Sequence, residues 1–575
     1  MTDVDLRCPQ CDDMLNPLDG LPDAATAVAL DDSAASAVQA MLNTRIRALL
    51  GLVRVLSERY NAASLIYRRL PPEILLRIFA YVTPSGSHDI MLAHVSRAWR
   101  SILLSCPSFW SKMLPYAVPC TLRPRPTKWF RTFLQRSALS PFSLKLPYLD
   151  SAVFAEVVSC LSQITKLTVQ IPRSEVNTLC KMLQHGLPAL RSLSIGHVPY
   201  VTVQDAEITQ PEDLAQFSFD HLRSLRTLRA PSWFFHSGMD FPGLQILEIK
   251  RCDCAGRVCR GTSDPGNTVN FLRRCHCLKT LELQEDITPQ SSDSPSEEPV
   301  VLNKLSRFIL KLDSADAVSR ALRFVVYPES VEIRVGTVWR EGRHFPMALM
   351  HSPVVCDADE LEIVHGYYEL KLQYIRRGAV RVRFSATYNW LTRDNAADCF
   401  RELLQLLAAT TRSTTQLCID GTMFGQLPWF NALRQDYEML LALFPNLTSL
   451  TFRNLDVAPA VYFGVLEPSG NGDMLCQHLA KLRVAWAHPT STQAVRQSCE
   501  VTRTVLTKRS SAGSVLDVFQ FTCDCSEDTV SRLRYLSDDV DMCMADLEQL
   551  GAGLEHVVKE VSVETPGWPD RDPAL

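Results

Sequence analysis

The sequence predicts an α/β chain in two parts, an all-helical N-terminal portion followed by an irregular solenoid of parallel strands alternating with helices. Three observations predict it. Apolar residues between 42 and 70 recur at helical spacing, and two more helical stripes lie between 70 and 110. Beyond 150, short segments with apolar residues at alternate positions recur to the end of the chain. The third is length: 575 residues exceed what one core fills, so several units or one elongated array are expected.

Residues 1–33 carry Cys8-Pro9-Gln10-Cys11 and then Pro, Gly, Asp and Ala without periodicity, which predicts a disordered start. A single Cys-x-x-Cys is half a zinc site, and no second pair occurs at finger spacing. Residues 34–69 read as one long amphipathic helix. Leu42, Ile46, Leu49, Val53, Leu56, Tyr60, Ala63, Tyr67 and Leu70 are spaced alternately four and three apart, a heptad seam. Arg45, Arg47, Arg54, Glu58 and Arg59 fall off it. Such a helix wants a partner along one face, either in a coiled coil with a second copy or by folding back on the hairpin C-terminal to it.

Residues 70–115 are the pivot. Pro71 and Pro72 stop the preceding helix and suit a first helical turn. Ile74, Leu75, Ile78, Phe79 and Val82 form one stripe, Thr83-Pro84-Ser85-Gly86-Ser87 breaks it, and Ile90, Met91, Val95, Ala98, Trp99, Ile102 and Leu103 form the next. By itself this is a sticky helical hairpin too small to bury its apolar surface unaided. Its residues also resemble the F-box: Leu70-Pro71-Pro72-Glu73, then Ile78-Phe79, then Val95-Ser96-Arg97-Ala98-Trp99-Arg100, with Pro107 and Trp110 beyond. The resemblance covers about forty residues. It implies docking onto the Skp-type adaptor of a cullin–RING ubiquitin ligase, gripped by Leu70, Pro71, Ile74, Leu75, Ile78, Phe79, Val95 and Trp99. A long helix running straight into Leu-Pro-Pro is similar to many fungal F-box proteins, which favours fold-back over self-association.

Residues 116–150 are punctuated by proline, with Trp129, Phe130, Phe133 and Leu134 as a short apolar stripe, and read as a packed connector. The solenoid is expected over 151–563. Strand-like segments lie at 167–169, 193–195, 225–228, 247–249, 281–283, 308–310, 331–335, 361–363, 380–384, 417–419, 450–452, 482–484, 518–521 and 561–563. Leu190, Leu244, Leu278 and Leu447 each precede such a segment by three residues. That is similar to the Leu-x-x-Leu-x-Leu strand of a leucine-rich repeat, clearest at Leu447-Thr-Ser-Leu450-Thr-Phe452. Helical stretches at 176–183, 399–409, 437–444 and 493–507 separate strands, which implies right-handed parallel stacking. Residues 288–299, polar and rich in Ser, Pro and acid, are expected to be a disordered insertion, and 564–575 a tail. In such strands the residues alternating with Leu and Ile point to an open face. Glu248, Lys250, Glu282, Glu332, Arg334, Arg381, Arg383 and Arg453 are therefore the candidates to touch a target protein.

Net charge of −4 and a pI near 6.4 argue against a nucleic-acid surface. No apolar run is long enough to span a membrane. Nineteen cysteines without a secretory start predict reduced, buried thiols and a cytoplasmic or nuclear protein. Cys252, Cys254, Cys259, Cys275 and Cys277, with His276, are the one cluster that zinc could use. They flank predicted strands, where small apolar residues are expected anyway, so no metal or other cofactor is predicted. No phosphate loop, dinucleotide turn, zincin pair or nucleophile elbow occurs. The expectation is a non-enzymatic substrate-recognition subunit of a Skp–cullin–F-box ligase. The alternative is a protein-interaction scaffold that delivers nothing for degradation.

Overall fold

The computed structural model describes residues 32–63, 70–84, 86–117, 128–137, 140–171, 175–197, 219–236, 238–251, 265–287, 298–339, 346–350, 352–366, 369–388, 403–408, 413–420, 434–454, 459–468, 474–487, 491–523 and 540–565. They fall into two compact units, one ending at Ser143 and the other beginning at Leu144. Residues 1–31 of the expected disordered start, most of the 288–299 insertion and nearly all of the tail lie outside the described residues, whereas Asp32 and Ser33, read as part of that start, are helical.

The first unit is helical. Helix α1 (Asp32–Ala63) is followed by α2 (Pro72–Tyr81), a 3₁₀ segment (Ser87–His94), α3 (Arg97–Leu104), α4 (Pro107–Ala117) and α5 (Lys128–Arg136). Pro71 caps α2, its carbonyl accepting the N–H groups of Ile74 at 3.0 Å and Leu75 at 3.2 Å. The second predicted stripe is one run in sequence but two pieces in the structure. Ser96 is the reason: its backbone is extended and its hydroxyl accepts the Trp99 N–H at 3.1 Å, so a fresh helix starts there.

Helix α4 locks the hairpin. Lys112 Nζ donates to the last carbonyls of α2, Ala80 at 2.6 Å and Val82 at 3.3 Å, and Tyr116 donates to the Pro84 carbonyl at 2.9 Å. Phe79, Leu103, Phe109, Trp110, Met113 and Leu114 are all buried, so the motif closes its own core. The Trp129–Leu134 stripe, read as connector, belongs to α5, with Phe130, Phe133 and Leu134 buried and Phe133 against Trp110 at 4.9 Å.

Helix α1 does not behave as the favoured reading expected. None of its described side chains is buried, and Ile46, Val53, Leu56 and Tyr60 of the seam are exposed. An ion pair from Glu58 to Arg97 at 2.5 Å ties it to α3. The hairpin core is already filled by α2 to α4, so fold-back would have little apolar surface to gain.

The second unit is built on a 16-stranded sheet. Its strands, numbered with a small separate pair, begin with β1 (Phe142–Leu146), β2 (Ile164–Ile171), β3 (Ser192–His197), β4 (Thr227–Pro231), β5 (Ile246–Lys250) and β6 (Thr280–Leu283). Next come β7 (Val300–Val301), β8 (Arg307–Lys311), β9 (Val325–Val326), β10 (Glu332–Trp339), β11 (Glu360–Gly366), β12 (Glu369–Arg376) and β13 (Ala379–Tyr388). The last five are β14 (Gln416–Asp420), β15 (Ser449–Arg453), β16 (Lys481–Trp486), β17 (Leu516–Cys523) and β18 (Val558–Glu564). Among the described residues, strands β7 and β9 pair only with each other.

Neighbours in the sheet are mostly neighbours in the chain, the mark of a repeat array. One row of side chains crosses it in register. Leu167, Leu193, Leu228, Leu247, Leu281, Phe308 and Ile333 lead to Val382, Tyr374 and Leu361, then Leu417, Leu450, Leu482, Phe519 and Val561. All but Val561 are buried. At about 1.5–3 kcal/mol for each large apolar side chain buried, this row is a main source of the unit's stability. A slip of one residue in any strand would turn that strand's row toward water.

Every predicted strand segment lies in or against a strand, but the stack is not wholly parallel. The order runs β8-β10-β13-β12-β11-β14, because the chain passes from β10 to β11 and returns to fill the gap. Strand β12 is antiparallel to both neighbours. The turn from β12 to β13 explains it: Arg377 and Gly378 both have positive φ, 52° and 72°, the two-residue geometry that joins hairpins. Helices Val176–Gln184, Arg434–Ala442 and Thr492–Ser511 occupy predicted stretches, and residues 403–408 of another are helical.

Candidate protein-interaction surfaces

Helix α2 has two apolar faces. Leu75 and Phe79 point inward and are buried, and Trp99 packs edge-on against Phe79 at 5.1 Å and 70°. Pro71, Ile74, Ile78 and Tyr81 lie at i, i+3, i+7 and i+10, one stripe down the opposite side. All four are exposed: Ile74 at 39%, Ile78 at 44% and Tyr81 at 83%. Across the break, Met91 and Val95 are also open, at 64% and 50%.

The eight predicted adaptor-binding residues therefore divide. Pro71, Ile74, Ile78 and Val95 are exposed, and Leu70 and Trp99 are half-buried. Leu75 and Phe79 are buried in the motif's own core. Tyr81 and Met91 share the exposed stripes and are not among the adaptor-binding candidates named from the sequence. The signal was present, since Tyr81 lies three residues past Ile78 and Met91 four before Val95.

The eight predicted target-contacting residues all lie at polar positions alternating with the buried row or just beyond them. Adjacent strands place them within reach of one another, so most are ion-paired. Arg229 meets Glu248 at 2.8 Å, Lys311 meets Glu282 at 2.7 Å, and Arg453 meets Glu362 at 3.4 Å. Glu332 collects Arg334 at 2.9 Å, Arg307 at 3.4 Å and Arg383 at 3.8 Å. Burial pushes the Glu332 carboxyl upward, but the Arg334 hydrogen bond and the charges of Arg334, Arg383 and Arg307 outweigh it and hold it below its ordinary value. Arg381 donates to the Ser330 carbonyl at 2.9 Å, and Lys250 reaches Glu248 at 4.0 Å.

The cysteine cluster is only partly described. Cys252, Cys254 and Cys259 lie outside the described residues, while Cys275 is buried and its thiol is pushed up to about 12 by that burial. Cys180 and Cys418 are likewise pushed up to about 12 by burial, which suits apolar filler rather than nucleophiles. Among the described residues no group of three or more His, Cys, Asp or Glu could hold a metal, and no helix is long and apolar enough to cross a membrane.

A small helical motif with an outward apolar stripe and a long repeat-like sheet with an open polar face together define the class of a protein-interaction adaptor. Residues 67–115 match the family described as F-box-like, and the sheet C-terminal to them is leucine-rich-repeat-like. No curated protein matches the chain. Among solved structures, a leucine-rich repeat-containing protein from Legionella pneumophila matches at 10% identity, over 74% of this chain and 91% of that one. Its TM-score is 0.20, so the repeat-like character rests on the registered rows alone.

Proposed function

We propose that this chain is the substrate-recognition subunit of a Skp–cullin–F-box type ubiquitin ligase. The observation that carries the reading is the Pro71–Ile74–Ile78–Tyr81 stripe, left open on an F-box-like motif whose own core is complete. A Skp-type adaptor would cover that stripe, and the polar strand face would hold a target protein. The chain would transfer nothing itself; it would raise the effective concentration of the target beside a ubiquitin-charged partner. On this reading the chain would work in the cytoplasm or nucleus. Affinity purification of the full chain followed by mass spectrometry should recover adaptor, cullin and a target that accumulates under proteasome inhibition. Recovery of a target with no adaptor would contradict the reading, and a target that never accumulates would make the chain a scaffold.

We also infer that α1 pairs with α1 of a second copy. Counting the seam as a heptad puts Ile46 and Val53 at a, and Leu42, Leu49 and Leu56 at d. β-Branched residues at a with Leu at d favour two parallel strands. In sedimentation equilibrium the full chain should be a dimer and a Leu49→Lys/Leu56→Lys variant a monomer. A monomeric wild type would contradict the pairing.

A further inference from the structure

The polar face of the sheet holds charges of both signs, but at different heights. Glu248, Glu282, Glu332 and Glu362 are sunk between strands, their side chains 15–20% exposed. Their partners Arg229, Lys250, Lys311, Arg307, Arg334, Arg383 and Arg453 stand 32–57% exposed. A partner approaching this face meets guanidinium and ammonium groups first.

The imbalance is greatest over β8, β10, β13 and β12. Three guanidiniums share the single Glu332 carboxylate, so the pairing leaves positive charge over. Two residues further along the strands, the row reads Lys311, Gly336, Ser385, Lys371. Gly336 and Ser385 keep the floor low between the two lysines. A Cβ on Gly336 would find no atom nearer than 3.8 Å, so steric crowding does not impose the glycine. The Lys311 stem lies in ordinary contact distance of Gly336, and adjacent strands are about 4.8 Å apart, so the two lysines arise from backbone positions about 14 Å from each other.

We propose that this patch binds an acidic protein segment, whose carboxylates lie over Gly336 and Ser385 and are met by Arg334, Arg383, Lys311 and Lys371. The proposal rests on the receptor reading and names the chemistry of its target. A protein segment is favoured over nucleic acid because the chain's net charge is −4 and carboxylates are interleaved with the cations. Discrete carboxylates can register with such a pattern; a continuous phosphate backbone would pass over the sunken glutamates.

The test is fluorescence anisotropy on the full chain with three labelled probes: a 12-residue Glu/Ser peptide, its Gln/Ser counterpart and a 12-nucleotide single-stranded DNA. The Glu peptide should bind at least ~10-fold more tightly than the Gln peptide, and weaken several-fold as salt shortens the screening length. Arg334→Gln/Arg383→Gln should remove that preference, whereas Glu332→Gln should strengthen binding by deleting the internal competitor. Equal binding of the two peptides, an unchanged double variant or tighter binding of the DNA would overturn the proposal. Co-purification separates it from the reading beneath it. If the double variant keeps its target, the acidic-segment proposal fails while the receptor reading stands; if the wild type brings down no adaptor, the receptor reading itself has failed.

Discussion

Replacing Arg509 with Met is expected to destabilise the end of the sheet by about 3 kcal/mol, a large effect from one side chain near a helix terminus. Arg509 sits in the last turn of helix Thr492–Ser511 and is fully buried. Its guanidinium donates to the carbonyls of Leu466 at 3.2 Å, Leu475 at 2.9 Å and Cys476 at 2.9 Å, and to the Ser514 hydroxyl at 3.1 Å. Burial lowers its pKa from the ordinary arginine value, so the fold holds this charge at a cost that its hydrogen bonds offset. With Met in place, the carbonyls lose their donors at about 1–3 kcal/mol each, and relief of the buried charge returns part of that. Because repeat arrays are stabilised locally, the loss should appear as faster amide exchange in β16 and β17, with β2 to β6 unchanged. A variant within about 0.5 kcal/mol of wild type would show that the guanidinium is not what binds these segments.

Changing Ile74 and Ile78 together to Asp should abolish adaptor capture while leaving thermal unfolding of the first unit nearly unchanged. Both side chains are exposed on the face of α2 opposite Leu75 and Phe79, so the folded monomer gives up little packing. In a complex each would be buried, at about 1.5–3 kcal/mol apiece, and an Asp there would also carry an unpaired charge into the interface. Together these predict at least ~100-fold weaker binding. Phe79→Ala should do the reverse: by emptying the contact with Trp99 it should cost about 3–5 kcal/mol of stability. Pull-down and a melting curve on both variants separate a contact residue from a core residue. An Ile74→Asp/Ile78→Asp chain that melts early would place those side chains in the core instead.

The sequence made the sheet legible because alternation carries a direct physical signal. Leu167, Leu193, Leu247, Leu281, Leu450 and Leu482 had to face inward, and they stand in one registered row. The antiparallel β12 was not among the predicted segments: it lies between 361–363 and 380–384, too close to both for a further parallel repeat, and only a hairpin turned at Arg377-Gly378 makes room for it. β1 escaped because its Phe-Ser-Leu-Lys-Leu lies among prolines. In the F-box-like motif the apolar residues were readable but their direction was not: Ile74 and Leu75 are adjacent and alike, and only the packing of α3 and α4 decides which is covered. Arg509 was invisible for a related reason. In sequence it is a basic residue in a helix's last turn, where solvent exposure is the ordinary outcome, and only the carbonyls brought in from 466–476 make it a core residue.

The measurement that bears most directly on the receptor reading is amide exchange across the full chain, with and without a purified Skp-type adaptor. Protection should rise over residues 71–81 and 91–95 and nowhere in the sheet. If those segments exchange at the same rate in both states, the open stripe of α2 is not an adaptor surface and the proposed function falls.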